Sequence, residues 1–277
     1  MKGLGYEEKM GYTKEIKLVT PISHLFNNYE DGIEIQSFSD QLEARERTCK
    51  LRFKNTTHYH IDFDLNLGLK ESQKDFLRSH VRDRKEITNL TFQLTRDTEE
   101  FDIKNGKGFP KGNFIDRTEQ LKRSKISVKE IRDIVGSDRS IGIENNNFYD
   151  TGAYEIATSS DFINQVIKET NTHLLLDIAH AKITCQNKNL NFKNYIYKLS
   201  QDISCKQIHL CGTGQRIIEG KAEIYDAHLL PTNNSIKEAL HICKELEVYH
   251  LTLEYYQNKN ELIGSLKQLK KMIKDFK

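Results

Sequence analysis

The chain has 277 residues, a length that suits one large domain, and we expect a single domain over residues 1–277. Its 42 lysines and arginines against 40 aspartates and glutamates leave a formal net charge of only +2. Binding that depends on neutralising phosphates usually needs a basic field, so this charge argues against a nucleic-acid-binding protein. With 30% charged residues and only three prolines, the composition also argues against a disordered chain.

No stretch approaches the roughly 18 apolar residues of a membrane span, and the charged N-terminus contains no apolar signal core. The five cysteines are odd in number, scattered, and lack a CxxC pair, which argues against a disulfide framework or a thiolate zinc site. We therefore expect a cytoplasmic protein that binds neither membrane nor nucleic acid.

Short apolar, β-branched runs alternate with longer amphipathic segments along the chain. A first strand lies either around Gly3–Tyr6 or around Ile16–Thr20, and the pattern does not choose between them. The further candidate strands are Gly32–Gln36, Thr57–Phe63, Asn89–Leu94, Ser140–Glu144, His173–Asp177, Lys206–Leu210 and Leu251–Glu254. Helical periodicity marks Glu71–Asp83, Val128–Val135, Asp161–Glu169, Ser235–Leu246 and Glu261–Phe276. The glycine-containing segment Glu99–Gly112 is expected to be a long loop and not a domain boundary.

Strands that alternate with helices of about 10–15 residues indicate parallel βαβ units. Seven or eight such units favour a (β/α)8 barrel over an open doubly wound sheet. A nucleotide-binding fold loses support because no GxGxxG follows the first strand and no P-loop occurs. We therefore predict an α/β protein with a (β/α)8 TIM barrel.

Polar residues recur where the predicted strands end, and catalytic groups of a (β/α)8 barrel cluster at that C-terminal face. Taken alone, a carboxylate at a strand end is more often a helix N-cap than a metal ligand, and a single histidine is more often a packed residue. Together, however, these groups would bury several like charges at one rim, which is unfavourable unless cations neutralise them. The candidates are His60, Glu144, Asp177, His180, His209, Asp226, His228 and Glu254.

A mixed histidine and carboxylate set without cysteine suits zinc, iron or manganese. Eight candidate ligands exceed what one ion takes, so two or three metal ions that share carboxylate bridges are implied. Asp226 and His228 are expected in the loop that follows Lys206–Leu210.

The order Glu144, Asp177-x-x-His180, His209, Asp226-x-His228, Glu254 resembles the xylose-isomerase-like barrel superfamily. Two of its branches are similar to this chain. Endonuclease IV holds a trinuclear zinc site with this ligand order, and its early ligand histidine precedes an Asn-Leu-Gly, as His60 precedes Asn66-Leu67-Gly68.

The second branch is the multinuclear non-haem iron-dependent oxidative enzymes, which include the methanobactin biosynthesis oxidase. The stretch that begins IENNNFYDTGAYEIATSSDF and ends THLLLDIAHAKIT resembles their central region, and the downstream IHL, DAH and LTLEYY segments agree. The resemblance covers roughly residues 57–257 and is most specific from Ile141 to Glu254.

Two positions depart from the pattern. Gln93 stands where both branches tend to place a histidine, and Thr213 stands where many iron members have a second one. These departures leave a dinuclear site well supplied and weaken the case for a third metal ion. We expect Gln93 to hydrogen-bond a water molecule or a neighbouring ligand and not to coordinate a metal.

The resemblance implies an oxidative enzyme that modifies a cysteine of a ribosomally made precursor peptide with O2, and such enzymes commonly need a partner that recognises the peptide leader. It implies two or three iron ions, Fe(II) or Fe(III), with zinc as the alternative. All eight candidates would be ligands, and Asp177, His180 and Glu254 would also be catalytic. Tyr149 and Tyr154 either line the substrate mouth or pack.

Two alternatives stay open. A zinc phosphodiesterase similar to endonuclease IV is disfavoured by the near-neutral charge, by Gln93, and by the two carboxylates of Asp62 and Asp64 where DNA would approach. A sugar isomerase or epimerase with one divalent ion uses fewer ligands, but fold does not fix function.

Overall fold

The computed structural model describes residues 15–25, 37–40, 56–218 and 220–276. The strands are, in chain order, β1 (Lys17–Ile22), β2 (Ser37–Asp40), β3 (Thr56–Asp64), β4 (Asn89–Gln93), β5 (Thr98–Lys104), β6 (Lys107–Phe114), β7 (Ser140–Glu144), β8 (His173–Asp177), β9 (Cys205–Leu210), β10 (Gly212–Ile218), β11 (Lys221–Leu229) and β12 (His250–Leu253). The α-helices are α1 (Glu71–Phe76), which continues as a π-helical turn, α2 (Arg117–Val135), α3 (Ser160–Thr170), α4 (Ile178–Asn187), α5 (Phe192–Ser200), α6 (Asn233–Glu245) and α7 (Lys259–Asp275).

Eight of the strands close into a parallel barrel in the order β1-β2-β3-β4-β7-β8-β9-β12, and β12 pairs back onto β1. The predicted (β/α)8 barrel is therefore confirmed. Within the described residues, no helix is both long enough and apolar enough to cross a membrane.

The alternation of side chains along each barrel strand explains both the core and the site. Successive residues of a strand point to opposite faces, so one set packs against the helices and the other faces the barrel axis. In β7, for example, Ile141 and Ile143 belong to the hydrophobic core, whereas Gly142 and Glu144 alternate with them. The same alternation in β8, β9 and β12 directs the polar members toward the barrel axis.

Most predicted elements lie within two residues of the observed ones. The alternative Ile16–Thr20 agrees with β1, whereas Gly3–Tyr6 and the candidate strand Gly32–Gln36 lie outside the described residues. The predicted helix Val128–Val135 is too short, because α2 already begins at Arg117, where the Asp116 side chain accepts a capping hydrogen bond from the Glu119 N–H at 3.0 Å.

The interpretation of Glu99–Gly112 as a loop is wrong. The segment belongs to the antiparallel hairpin β5–β6, which turns at Asn105 and Gly106 with φ of +52° and +71°. Two consecutive left-handed residues are the requirement of the tight hairpin turn that Asn-Gly favours. A second antiparallel hairpin, β10–β11, follows β9 and turns at Gly220, whose φ is +77°.

Candidate metal centre

The ends of three neighbouring barrel strands bring Glu144, Asp177 and His209 together. Asp177 and His209 are register partners across β8 and β9, and all three side chains are buried. One potential ligand atom from each of the three lies within 4.8 Å of the others. These residues therefore form a compact donor set at the C-terminal end of the barrel.

The eight residues predicted from the sequence form one continuous chain of contacts. Successive contacts are His60 Nε2 to Glu144 Oε2 at 3.2 Å, Glu144 Oε1 to His209 Nδ1 at 3.0 Å, His209 Nδ1 to Glu254 Oε1 at 3.2 Å, Glu254 Oε2 to His228 Nε2 at 3.5 Å, His228 Nδ1 to Asp226 Oδ1 at 3.5 Å, Asp226 Oδ2 to His180 Nε2 at 3.3 Å, and His180 Nδ1 to Asp177 Oδ1 at 3.9 Å. Imidazoles and carboxylates alternate along the whole of this chain of contacts, so the structure brings all eight into one cluster.

His60 is oriented by the neighbouring strand β4. Its Nδ1 lies 2.8 Å from the Thr91 hydroxyl, which leaves Nε2 facing Glu144. The amide nitrogen of Gln93 lies 3.1 Å from Glu144 Oε2 and 3.3 Å from His60 Nε2. Gln93 thus contacts two neighbouring members of the cluster, His60 and Glu144.

Asp177 caps a helix with only one of its two carboxylate oxygens. Its Oδ1 accepts a hydrogen bond from the His180 N–H at 2.7 Å and so caps α4. Its Oδ2 is buried and has no hydrogen-bond partner among the described residues. A cap needs only one carboxylate oxygen, so capping does not account for the buried second oxygen.

Asn145 orients both Asp177 and His180. Its side chain accepts from the Asp177 N–H at 2.9 Å and donates to the Asp177 carbonyl at 3.0 Å. Its own carbonyl lies 2.9 Å from His180 Nδ1. Because a carbonyl only accepts, Nδ1 of His180 must carry a proton, and Nε2 is left to bind a cation or a further proton.

Asp226 and His228 lie on β11 of the second hairpin, so the expectation that they occupy a loop is wrong. A break in the β10–β11 register opposite Gly212 and Thr213 inserts extra residues here, and His228 has a left-handed φ of +44°. Bulges of this kind often re-aim side chains beside active sites. The Cys211 thiol lies 3.7 Å from Asp226 Oδ1 and adds a hydrogen bond from the end of β9.

The two carboxylates at the centre of the cluster have opposite pKa shifts. Burial raises the pKa of Asp177 to about 6, and the negative charges of Glu144, Glu254 and Asp226 add to this shift against the effect of His180. Burial would also raise the pKa of Glu144, but the imidazoles of His60 and His209 hold it well below its usual value. The negative charge of a buried carboxylate in this cluster is therefore offset only where the carboxylate contacts a positively charged group.

His180 and His228, which both contact Asp226 of the second hairpin, carry that positive charge. Despite burial, the Asp177 and Asp226 carboxylates hold the pKa of His180 well above its usual value. Contact with Glu254 raises the pKa of His228 to about 9, again against the effect of burial. Protons on these imidazoles offset the carboxylates, and a bound cation would replace them, so metal binding should release protons.

The cluster fits a metal ion on two observations. Asp177 Oδ2 and His209 Nδ1 are both buried without a hydrogen bond of normal geometry, although His209 Nδ1 lies close to two carboxylates. A cation placed among Glu144, Asp177 and His209 would satisfy both atoms. Imidazole and carboxylate donors are those preferred by zinc, iron and manganese in proteins.

Tyr149 and Tyr154 pack below the hairpins instead of lining an open mouth. Both side chains are buried in a small hydrophobic cluster with Phe148, Ala153 and Ile183. The Tyr154 hydroxyl accepts from the Gly108 N–H of β6 at 2.7 Å, which fixes the first hairpin. Burial raises the pKa of Tyr149 to about 12, with a further contribution from the Asp226 charge.

Sequence reasoning did not single out Asn145, Thr91 or Cys211 as contacts of the cluster. Asn145 directly follows Glu144, and Thr91 lies two residues before Gln93 on the same face of β4. Alternation along the strands is the signal that would have found Thr91. Asn145 and Cys211 each follow a strand end, a position that faces the C-terminal rim of a barrel.

Comparison with known proteins supports a family and a fold. A model of the family described as RiPP precursor modification enzyme MbnB/TglH/ChrH, where RiPP denotes a ribosomally synthesised and post-translationally modified peptide, matches residues 115–274. No curated protein sequence matches this chain.

Several solved structures share the fold at low sequence identity. A D-tagatose 3-epimerase-like protein is 15% identical with a TM-score of 0.57, over 94% of this chain and 97% of that one. D-psicose 3-epimerase from Clostridium cellulolyticum H10 is 11% identical with a TM-score of 0.55, over 94% and 99%. A xylose isomerase domain containing protein from Salmonella typhimurium LT2 is 12% identical with a TM-score of 0.51, over 79% and 75%. These similarities show a xylose-isomerase-like TIM barrel and no activity.

Proposed function

The chain belongs to the MbnB/TglH/ChrH family of RiPP precursor modification enzymes, and we propose that it is an iron-dependent oxidative enzyme that modifies a cysteine of a ribosomally made peptide with O2. The matched region runs from just before α2 to the end of α7 and contains seven of the eight cluster residues. His60 precedes the match and is assigned to the site by its contact with Glu144 and by the packing of its ring against His209.

One observation carries the proposal: eight imidazoles and carboxylates lie in a single continuous cluster, with Asp177 Oδ2 and His209 Nδ1 left unsatisfied. Four carboxylates and four imidazoles are more than one ion uses, which favours two metal ions joined through shared carboxylates. We assign all eight residues as ligands: His60, Glu144, Asp177, His180, His209, Asp226, His228 and Glu254.

Bound iron would supply a Lewis acid for the cysteine thiolate and electrons for O2. The protein's own part is to hold the donors in place. Asn145 fixes His180 with Nε2 toward the cluster, and Thr91 fixes His60 in the same sense. We propose Asp177, His180 and Glu254 as the catalytic residues. Asp177 belongs to the buried triad, and His180 and Glu254 connect that triad to Asp226 and His228 on the more open hairpin side.

The peptide is proposed to approach from the side of His228. The His228 side chain is 32% exposed, against 15% for Asp226 and 5% or less for Glu144, Asp177, His209 and Glu254. Tyr256 packs edge-on against His228 with ring centroids 5.1 Å apart, and its hydroxyl lies 3.3 Å from Glu254 Oε1. These two rings would therefore meet the substrate first. A second protein that recognises the peptide leader is part of the proposal.

The test is a peptide modification assay followed by mass spectrometry. The iron-loaded protein, co-expressed with a cysteine-containing precursor peptide and its leader-recognition partner, should change the mass of the peptide only in the presence of O2. A peptide with the cysteine replaced by serine is the control and should remain unmodified. Modification without oxygen, or equal modification of the serine peptide, would contradict the proposal.

A further inference from the structure

The interior of the barrel directly below the metal centre is polar. A barrel of this kind usually fills its interior with branched apolar side chains. Here the positions two residues before Gln93, His209 and Glu254 on their strands carry three polar side chains. They are Thr91, Gln207 and Thr252, and all are buried. Buried polar groups need hydrogen-bond partners, so these side chains must be arranged as a network.

Gln207 is the centre of this network. Its side-chain nitrogen lies 3.3 Å from His209 Nε2 and 2.7 Å from the Thr252 hydroxyl. Its side-chain oxygen lies 3.3 Å from the amide nitrogen of Asn89. The other amide atom of Asn89, Oδ1, is buried without a hydrogen-bond partner among the described residues. Gln207 thus connects the buried imidazole of the metal centre to the neighbouring strand β12 and, across the barrel, to β4.

The orientation of the Gln207 side-chain amide determines which nitrogen of His209 carries the proton. A neutral imidazole has one donor and one acceptor nitrogen. If the Gln207 NH2 group donates to Nε2 of His209, the proton must reside on Nδ1, the atom that faces Glu144 and Glu254. A protonated Nδ1 has no lone pair for a cation. The amide orientation and metal binding through Nδ1 are therefore mutually exclusive.

Rotating the amide by 180° removes the conflict, and the oxygen and nitrogen of a side-chain amide differ only by that rotation. The Gln207 oxygen then accepts from Nε2–H of His209 and from the Thr252 hydroxyl. The Gln207 nitrogen then donates toward Asn89. When the Asn89 side-chain amide is rotated in the same way, its Oδ1 accepts this hydrogen bond. Every contact distance of the network is kept.

We propose that Gln207 is a positioning residue that holds the proton of His209 on Nε2 when metal is bound, and so keeps Nδ1 available to the cation. The inference rests on the proposed metal centre and concerns no step of the oxidation. A carbonyl or carboxylate that accepts from the distal nitrogen of a metal-bound histidine fixes the ring tautomer, and loss of such a partner typically costs 10–100-fold in metal affinity.

Zn(II) is the probe, because it is diamagnetic and does not depend on the oxidative chemistry. In the Zn(II)-loaded wild-type protein, 15N NMR should show the proton of His209 on Nε2 and a metal-shifted Nδ1. A proton on Nδ1 of His209, or coordination through Nε2, would overturn the proposal. This measurement needs no substitution, so it stands even if a variant fails to fold.

Competition titrations of Zn(II) on variants supply the second test. Gln207→Met removes the acceptor and should weaken Zn(II) binding by about 10–100-fold, whereas Gln207→Glu keeps an acceptor and should remain within a few-fold of wild type. Thr252→Val is the matched control, because it removes another partner of Gln207 without touching His209 and should bind Zn(II) as wild type does. Wild-type affinity in Gln207→Met, or equal losses in Gln207→Met and Gln207→Glu, would overturn the proposal. Failure of the wild-type protein itself to bind metal would instead refute the proposed function.

Discussion

The Gln93 side chain donates a hydrogen bond to Glu144 Oε2 at 3.1 Å, from the end of β4 where the sequence resemblance leads us to expect a histidine. The same amide nitrogen lies 3.3 Å from His60 Nε2. An amide is a much poorer metal ligand than an imidazole. Gln93 therefore contacts two of the proposed ligands, Glu144 and His60, without adding a metal donor of its own.

Gln93→His should raise the occupancy of a third metal position and leave the other two unchanged, because it supplies the missing imidazole. Gln93→Leu is the control, since it removes the amide and adds no donor. Anomalous diffraction on metal-loaded crystals measures the occupancies. Three fully occupied ions in the wild-type protein, one of them contacted by the Gln93 amide, would show that this interpretation is wrong.

A comparison of two Asp177 variants distinguishes its role as a helix cap from its proposed role in metal binding. Asn is as good an N-cap as Asp, so Asp177→Asn should keep the cap of α4 while it loses the charge, and Asp177→Ala should lose both at a cost of about 1 kcal/mol for the cap. Both variants should lose metal, measured by elemental analysis, and the stability that metal binding contributes. Full metal content in either variant would mean that Asp177 is only a helix cap.

His173 lies at the opposite end of the barrel from the metal centre, and we expect it to make part of the protein's stability sensitive to acid. Burial, with a contribution from the Lys206 charge, lowers the pKa of His173 to about 3. The unfolded chain takes up a proton near pH 6.5 and the folded chain does not until about pH 3, so this stability is present above pH 6.5 and is lost as pH falls below it.

Between pH 7 and pH 5 the wild-type protein should therefore lose about 2 kcal/mol more of its unfolding free energy than His173→Leu does. Urea unfolding at the two pH values measures the difference. His24→Gln changes an exposed histidine and serves as the control, with a pH response equal to that of wild type. An equal pH response of wild type and His173→Leu would contradict the assignment.

The two hairpins are held together by an ion pair between Lys107 and Glu223, 2.6 Å apart and mostly buried. A double-mutant cycle with Lys107→Ala and Glu223→Ala should give a coupling energy of about 1 kcal/mol or more. Lys129 and Asp133 are also 2.6 Å apart but exposed on α2, and this control pair should couple by only about 0.3–0.5 kcal/mol. Equal coupling energies would show that burial adds nothing to the pair.

The barrel and its rim were accessible from sequence because both follow from local pattern. The run Leu174–Leu176 is continuously apolar, since a parallel strand is covered on both faces, and the carboxylate that ends it must lie at the rim. The hairpins were missed for a physical reason. Strand β5 is charged and exposed at most positions, and its hydrophobic alternation is limited to Phe101 and Ile103, although Asn105-Gly106 is the turn signal that marks the hairpin.

The orientation of the site residues could not be read from sequence. Whether His180 presents Nε2 depends on the carbonyl of Asn145, and whether Gln93 contacts Glu144 depends on the register between β4 and β7. Both are properties of the assembled barrel. The assignment of the eight residues as metal ligands remains a prediction.

The metal content of the purified protein tests the central claim most directly. Protein purified aerobically from iron-supplemented cells should contain about two iron ions per chain by elemental analysis, as the ligand count requires, together with an optical spectrum of ferric iron. Protein saturated with zinc that cleaves abasic DNA would contradict the account.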